Sequence, residues 1–170
     1  MQHDPEGIVS RRATSRYEPG RRSPGWVKTS LRRAAEVVVG GWKSGRGRRS
    51  GTVGSLLLGA YDETGLVYVG HVGTGFTDKA LVDMGRRLAG LRRSTSPFGA
   101  PVPREFARDA RWVEPRLVGE VEFRHWAGDH RLRHPSWRGL REDLELEEVR
   151  HPTAEHVGHV RPWSRSCDSC

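Results

Sequence analysis

Apolar positions in this chain come in short β-branched runs separated by glycine-rich polar stretches, and that rhythm sets the predicted elements. "EVVVGGW" (Glu36 to Trp42) is a nearly continuous apolar run punctuated by glycines, as a buried strand requires. "KSGRGRRSG" (Lys43 to Gly51) has no apolar side chain and reads as a flexible basic loop. "VGSLLLGAY" (Val53 to Tyr61) predicts a second strand, "DETG" a turn, and "LVYVGHV" (Leu66 to Val72) a third strand. The period then changes. Leu81, Met84, Leu88 and Leu91 recur at helical spacing, with Thr77 as N-cap and Asp78 in the first turn. Gly85 and Gly90 weaken this helix without cancelling it. From Ser94 to Pro115, four prolines and scattered charges predict a long ordered loop. "LVGEVEF" (Leu117 to Phe123) alternates, with Glu120 and Glu122 on one face and Val121 and Phe123 on the other, as a half-buried strand does. A last short strand is expected within "RLRHPSW" (Arg131 to Trp137). From about residue 145 periodicity is lost, which predicts a disordered tail with at most a short helix at 145–150.

Three strands, one helix and two strands is the order of an OB-fold, a five-stranded Greek-key barrel with its helix between strands 3 and 4. An SH3-like barrel is the nearest alternative. The expected fold class is therefore mainly β. The chain of 170 residues is long enough for one domain, or one domain and a fragment of another. Residues 1–33 are polar, basic and rich in turn formers, residues 34–144 carry the barrel pattern, and 145–170 form the tail.

Charge adds a partner to this picture. Residues 1–60 hold 12 Lys and Arg against 4 Asp and Glu, whereas residues 61–170 hold 17 of each, so the net charge of +8 belongs to the first third. A basic segment beside a neutral body suits an anionic partner, nucleic acid first; a solvated basic loop is the plainer reading. The candidate contacts are Arg21, Arg22, Arg32, Arg33, Lys43, Arg46, Arg48 and Arg49. Arginine outnumbers lysine 26 to 3, which suits bidentate phosphate contacts or simply a GC-rich genome. No apolar run reaches membrane-spanning length and no leader-like N-terminus is seen, so a cytoplasmic setting is expected.

Three motifs carry a resemblance to a known family. "EGIV" (Glu6 to Val9), "GWVKTS" (Gly25 to Ser30) running into "EVVVGGW", and "RHPSWRGLRED" (Arg133 to Asp143) stand in the order of the fourth, fifth and sixth nucleotidyltransferase motifs. "YVGHVGTGF" (Tyr68 to Phe76) also fits the family's third barrel strand and following loop. Over residues 6–144 the chain resembles the C-terminal part of ATP-dependent DNA ligases, most of all the ligase domain of the bacterial non-homologous end-joining enzyme. The resemblance implies ATP and Mg²⁺ or Mn²⁺ in the intact enzyme. It implies nicked or broken duplex DNA as substrate, with a separate nucleotidyltransferase half or end-joining proteins as partners. It also implies that residues 1–33 are the closing piece of an adenylation domain.

In that family a lysine in a Lys-x-Asp-Gly motif carries the AMP. None of Lys28, Lys43 and Lys79 is followed by x-Asp-Gly, so this chain alone is expected to be catalytically incomplete. By resemblance, Glu6 would hold a metal beside phosphates, Lys28 would contact a nucleotide phosphate, and Arg141 with Asp143 would supply the sixth motif, its arginine engaging the triphosphate. Two cationic positions of the family are replaced, by Ser30 and Leu144. Each residue also has a plainer reading: a turn glutamate, a surface lysine, and one charge of a solvated pattern with Arg138. A stand-alone, non-catalytic nucleic-acid-binding module is the alternative function.

Three further patterns have plainer explanations. "GHVGTGF" lacks the Walker spacing, and glycine-permitted bulges or turns explain it better than a phosphate loop. His156, His159, Cys167 and Cys170 form an HxxH…CxxC arrangement that suits tetrahedral zinc, but in a segment with nothing to form a core the disordered tail is the stronger reading. Of the six tryptophans, most read as core, and Trp42, beside the basic loop, is the best candidate for stacking on a base.

Overall fold

A computed structural model describes residues 7–11, 26–30, 32–45, 47 and 50–151, with residues 7–9, 11 and 26–30 described as backbone only. Its strands form two sheets. The first is an antiparallel pair, β1 (Gly7–Arg11) and β2 (Trp26–Ser30), in which Lys28 stands opposite Val9. The second has five antiparallel strands: β3 (Arg33–Ser44), β4 (Val53–Asp62), β5 (Gly65–Val72), β6 (Arg111–Phe123) and β7 (Ser136–Leu140), in the order β5-β4-β3-β6-β7. The open edges approach each other, because Leu132 N–H donates to Val69 O (2.8 Å) and Trp137 N–H donates to Thr74 O (2.9 Å). These bonds satisfy edge groups that a flat sheet would leave bare, and they close the sheet toward a barrel. Helix α1 (Asp78–Ala89) follows β5, and the single turn α2 (Arg104–Ala107) precedes β6.

The interior explains the pattern of the chain. Val37–Val39 and Leu56–Leu58 are fully buried, as continuous apolar runs require. Phe98 plugs the barrel beside Gly40 and Gly59: a Cβ at Gly40 would stand 2.4 Å from its ring, and one at Gly59 2.8 Å. Close backbone approach, rather than chain freedom, requires glycine at these two positions. On α1, Leu81, Met84 and Leu88 are buried as expected, and the Thr77 hydroxyl accepts the Ala80 N–H at 3.2 Å; Leu91, expected on the same stripe, lies past the Gly90 C-cap in a turn and is half-buried. The glycine pattern after β5 is backbone geometry. Gly70 sits at a register shift with φ of 143°, and Gly75 has φ of 87°.

The structure corrects three boundaries. Residues 111–115 belong to β6 and not to the long loop. Pro115 is tolerated because the register jumps there: Val39 faces Leu117 while Gly41 faces Trp112, so the proline lies in an irregular stretch of the β3–β6 ladder. The last strand starts at Ser136, because residues 124–133 form a hairpin of their own. The barrel unit also continues past Leu144. A single 3-10 turn at Leu146–Glu148 delivers Val149 into the core (1% exposed), Tyr61 N–H donates to Val149 O, and His151 N–H donates to Tyr61 O at 2.7 Å. Residues 145–151 are therefore docked. His156, His159, Cys167 and Cys170 lie outside the described residues.

Candidate nucleic-acid interface

The end of β7 carries a charged cluster built by strand register. Glu36 of β3 and Glu120 of β6 are direct cross-strand partners, an arrangement that sets two like charges side by side. Arg141, just past β7, bridges them. Its guanidinium lies 3.0 Å from Glu120 and 3.8 Å from Glu36, and it also makes two hydrogen bonds to Asp143, of 2.8 and 2.9 Å. The Arg141 hydrogen bonds hold the Asp143 carboxyl down to about 2, and Asp143 first, then Glu120, pushes Arg141 further above its ordinary range. One step along the sheet, Glu122 accepts from Arg32 at 3.4 Å and stands 3.5 Å from Arg138. The outer surface of β3, β6 and β7 is thus a ladder of arginines over glutamates. On the far side of β7, Arg87 of α1 reaches Glu142 at 2.6 Å and Asp83 at 3.0 Å, fixing the helix to the segment that follows β7.

The structure brings together some of the expected residues and separates others. Arg141 and Asp143 are in direct contact, and Arg32 is tied to the same ladder. Arg33 opens β3 opposite Phe123. The Lys43 ammonium donates to the carbonyl of Glu105 at 2.8 Å, which anchors the base of the basic loop to α2. Lys28 is placed on β2 by its backbone alone. Glu6, Arg21, Arg22, Arg46, Arg48 and Arg49 lie outside the described residues. Trp42 is corrected: it is a core residue, 9% exposed, and the Arg111 guanidinium lies 4.7 Å from its ring centroid, so the face expected to stack on a base is already covered. Among the described residues no group of three or more His, Cys, Asp and Glu side chains is arranged to hold a metal ion, and none of their helices is long and apolar enough to cross a membrane.

A second cationic region escaped the sequence reading. Between β5 and the hairpin that links β6 to β7 runs a groove of about 940 Å³, with Arg32, Arg124, Arg131, Arg133 and His134 on its walls against the two carboxylates Glu105 and Asp129, and with Tyr68 within it. The sequence signal was present in the basic residues flanking the "AGD" turn, Ala127 to Asp129, but the segment read as the last strand.

The strand order and the helix after the third barrel strand define an OB-fold domain. Comparison with known proteins narrows this. The family described as "ATP dependent DNA ligase C terminal region" matches residues 49–144, and the chain belongs to that family. It is 48% identical over 144 residues to the multifunctional non-homologous end joining protein LigD of Mycolicibacterium smegmatis, and 45% identical over 147 residues to the LigD of Mycobacterium tuberculosis. These matches cover 85% and 86% of this chain but 19% of each relative, so the chain spans about a fifth of their length. Among solved structures, the ligase domain of M. tuberculosis LigD superposes with a TM-score of 0.68 at 44% identity, covering 85% of this chain and 47% of that one. A mycobacterial DNA ligase D complexed with ATP and MES gives a TM-score of 0.64 at 42% identity, covering 86% and 47%.

Proposed function

We propose that this chain supplies the DNA-clamping OB domain of an ATP-dependent ligase that seals breaks in end-joining repair, acting with a nucleotidyltransferase part that carries the adenylated lysine. The carrying observation is the family match over the barrel, supported by the contact between Arg141 and Asp143, the two residues that the resemblance assigns to the sixth motif. The residues suited to a nucleotide are Lys28 and Arg141. Arg141 fits because its guanidinium and its three carboxylate partners are all partly exposed, so each pairing is weak and a phosphate can take the place of a carboxylate. When bound, ATP supplies the adenylyl group that activates the DNA 5′-phosphate. Loss of Arg141 from the ladder leaves Glu36 facing Glu120, and that repulsion draws the arginine back. Glu6 is the position proposed for a divalent metal, and the basic N-terminal third and the first barrel loop for DNA phosphates.

The test mixes the purified chain with the adenylated nucleotidyltransferase part of a mycobacterial LigD lacking its own C-terminal region, on a nicked duplex bearing a 5′-phosphate. Sealing that needs both polypeptides is the expected result. Salt-dependent duplex binding without any sealing would instead favour the stand-alone binding module, which the replacements at Ser30 and Leu144 make the second reading. Neither binding nor sealing would refute both.

A further inference from the structure

The groove between β5 and the β6–β7 hairpin is built for a ligand that the duplex-clamping reading does not use. Arg124 and Arg133 face each other across the hairpin: Arg124 N–H donates to Arg133 O at 3.0 Å, and Arg133 N–H donates to His125 O at 3.1 Å. Both side chains are exposed, both line the groove, and neither forms an ion pair among the described residues. Two like charges at paired positions repel each other, so stability alone gives no reason for them. A bound anion does.

Tyr68 supplies the second observation. Its side chain is 7% exposed, its hydroxyl has no hydrogen-bond partner, and it lies in the same groove. A buried phenol without a partner is costly and is retained where something else supplies one. The Arg131 guanidinium lies over the ring at 5.6 Å, and among the described residues its ion pair is with Asp129 at 3.5 Å, a weak pairing from which a phosphate can draw it off the tyrosine. The Phe106 and His71 rings lie beside it with centroids 4.2 Å apart and planes tilted by 32°, and give the groove an aromatic wall.

We propose that this groove holds an unpaired stretch of a DNA strand, with backbone phosphates on Arg124 and Arg133 and a polar group of sugar or base on the Tyr68 hydroxyl. A groove of this volume takes a nucleotide or two. A duplex does not fit the same contacts, because its bases are paired inward and only its phosphate ridge reaches the surface. Cationic walls with aromatic surfaces are how OB-folds hold single strands. The inference rests on reading the barrel as a DNA-binding domain.

The experiment measures anisotropy of a labelled single strand of about 12 nucleotides and, in parallel, of a nicked duplex with no unpaired bases. The full chain is compared with Arg124→Gln/Arg133→Gln and with Tyr68→Phe, whose folding is checked by thermal melting. The arginine pair variant is expected to lower the salt slope of single-strand binding by about 1.4, from two phosphate contacts at ~0.7 each, while leaving duplex binding near that of the parent. Tyr68→Phe is expected to bind the single strand about five-fold more weakly and to melt no lower. The inference is overturned if either variant binds single strands like the parent, or if the arginine variant loses duplex and single-strand affinity equally. If the parent binds duplex but no single strand, this inference alone falls. If it binds single strands but no duplex, the clamp reading falls and the groove stands.

Discussion

Two glycine-to-alanine substitutions should move stability in opposite directions. At Gly119 of β6, an added Cβ would stand 2.0, 2.7 and 2.8 Å from three ring atoms of Trp137. The indole has little room to retreat. It is 4% exposed, stacks on Phe76 with centroids 5.5 Å apart and planes 17° apart, and belongs to a residue whose N–H holds Thr74 O at the barrel closure. Overpacking of this kind costs about 1–3 kcal/mol, and the lost freedom of the unfolded chain returns about 0.4–1 kcal/mol. The net for Gly119→Ala is a loss of roughly 1.3 kcal/mol, or about 5 °C in melting temperature for a domain of this size. Gly85 has the opposite surroundings. It lies inside α1 with nothing within 4 Å of the Cβ position, so Gly85→Ala should gain nearly the full helix-propensity difference, about 0.8 kcal/mol. Thermal melts and urea titrations by circular dichroism read both, with m-values expected to stay constant. Replacing Trp137 by Phe in the Gly119→Ala background should recover more than about 1 kcal/mol relative to additivity, since the two residues touch. A Gly119→Ala variant as stable as the parent would refute the packing argument, and a destabilised Gly85→Ala would refute the helix assignment.

Other predictions concern charge, docking and chemistry. Arg141→Met should lower stability by about 0.5–1 kcal/mol because Glu36 and Glu120 then face each other unbridged, and adding Glu36→Gln should restore part of that in urea titrations. Asp143 has its carboxyl held down to about 2, below the ordinary ~3.9, so its contribution is complete above that ordinary value and fades as pH falls toward 2. Asp143→Asn should therefore flatten the acid limb of the stability profile in that window and leave its slope near neutrality unchanged. Val149→Ala should cost about 1–3 kcal/mol in denaturant titrations, and a chain ending at Leu144 should melt lower still, because the 146–149 segment closes onto Tyr61. Incubated alone with labelled ATP and Mg²⁺ or Mn²⁺, the chain should acquire no label on a denaturing gel; a band lost with Lys28→Ala would overturn the reading that its nucleophile is missing.

The barrel was legible in the sequence where packing acts over short distances. The runs Val37–Val39 and Leu56–Leu58 and the stripe Leu81, Met84, Leu88 carry their own period, and Thr77 carries its own capping oxygen. The misread features depend on partners far along the chain. Nothing local marks Pro115 as a strand residue, because what admits it is the register jump against Val39 and Gly41. Trp42 looks like an exposed base-stacker beside a basic loop until β6 brings Arg111 across its face, 69 residues on in sequence. The resemblance singled out Arg141, but nothing local in the sequence showed its setting. Glu36, Glu120 and Asp143 are separated by up to 107 positions, and only the β3–β6 register puts two of them under one guanidinium. The groove follows the same logic. Arg124 and Arg133 look like two members of an arginine-rich chain, and they become a pair only once the hairpin turns at Ala127–His130 and sets one against the other. Charge counting could not have found them, since residues 61–170 are neutral in sum. Net charge records how many cations a segment holds, whereas a binding site depends on which of them the fold leaves without a carboxylate.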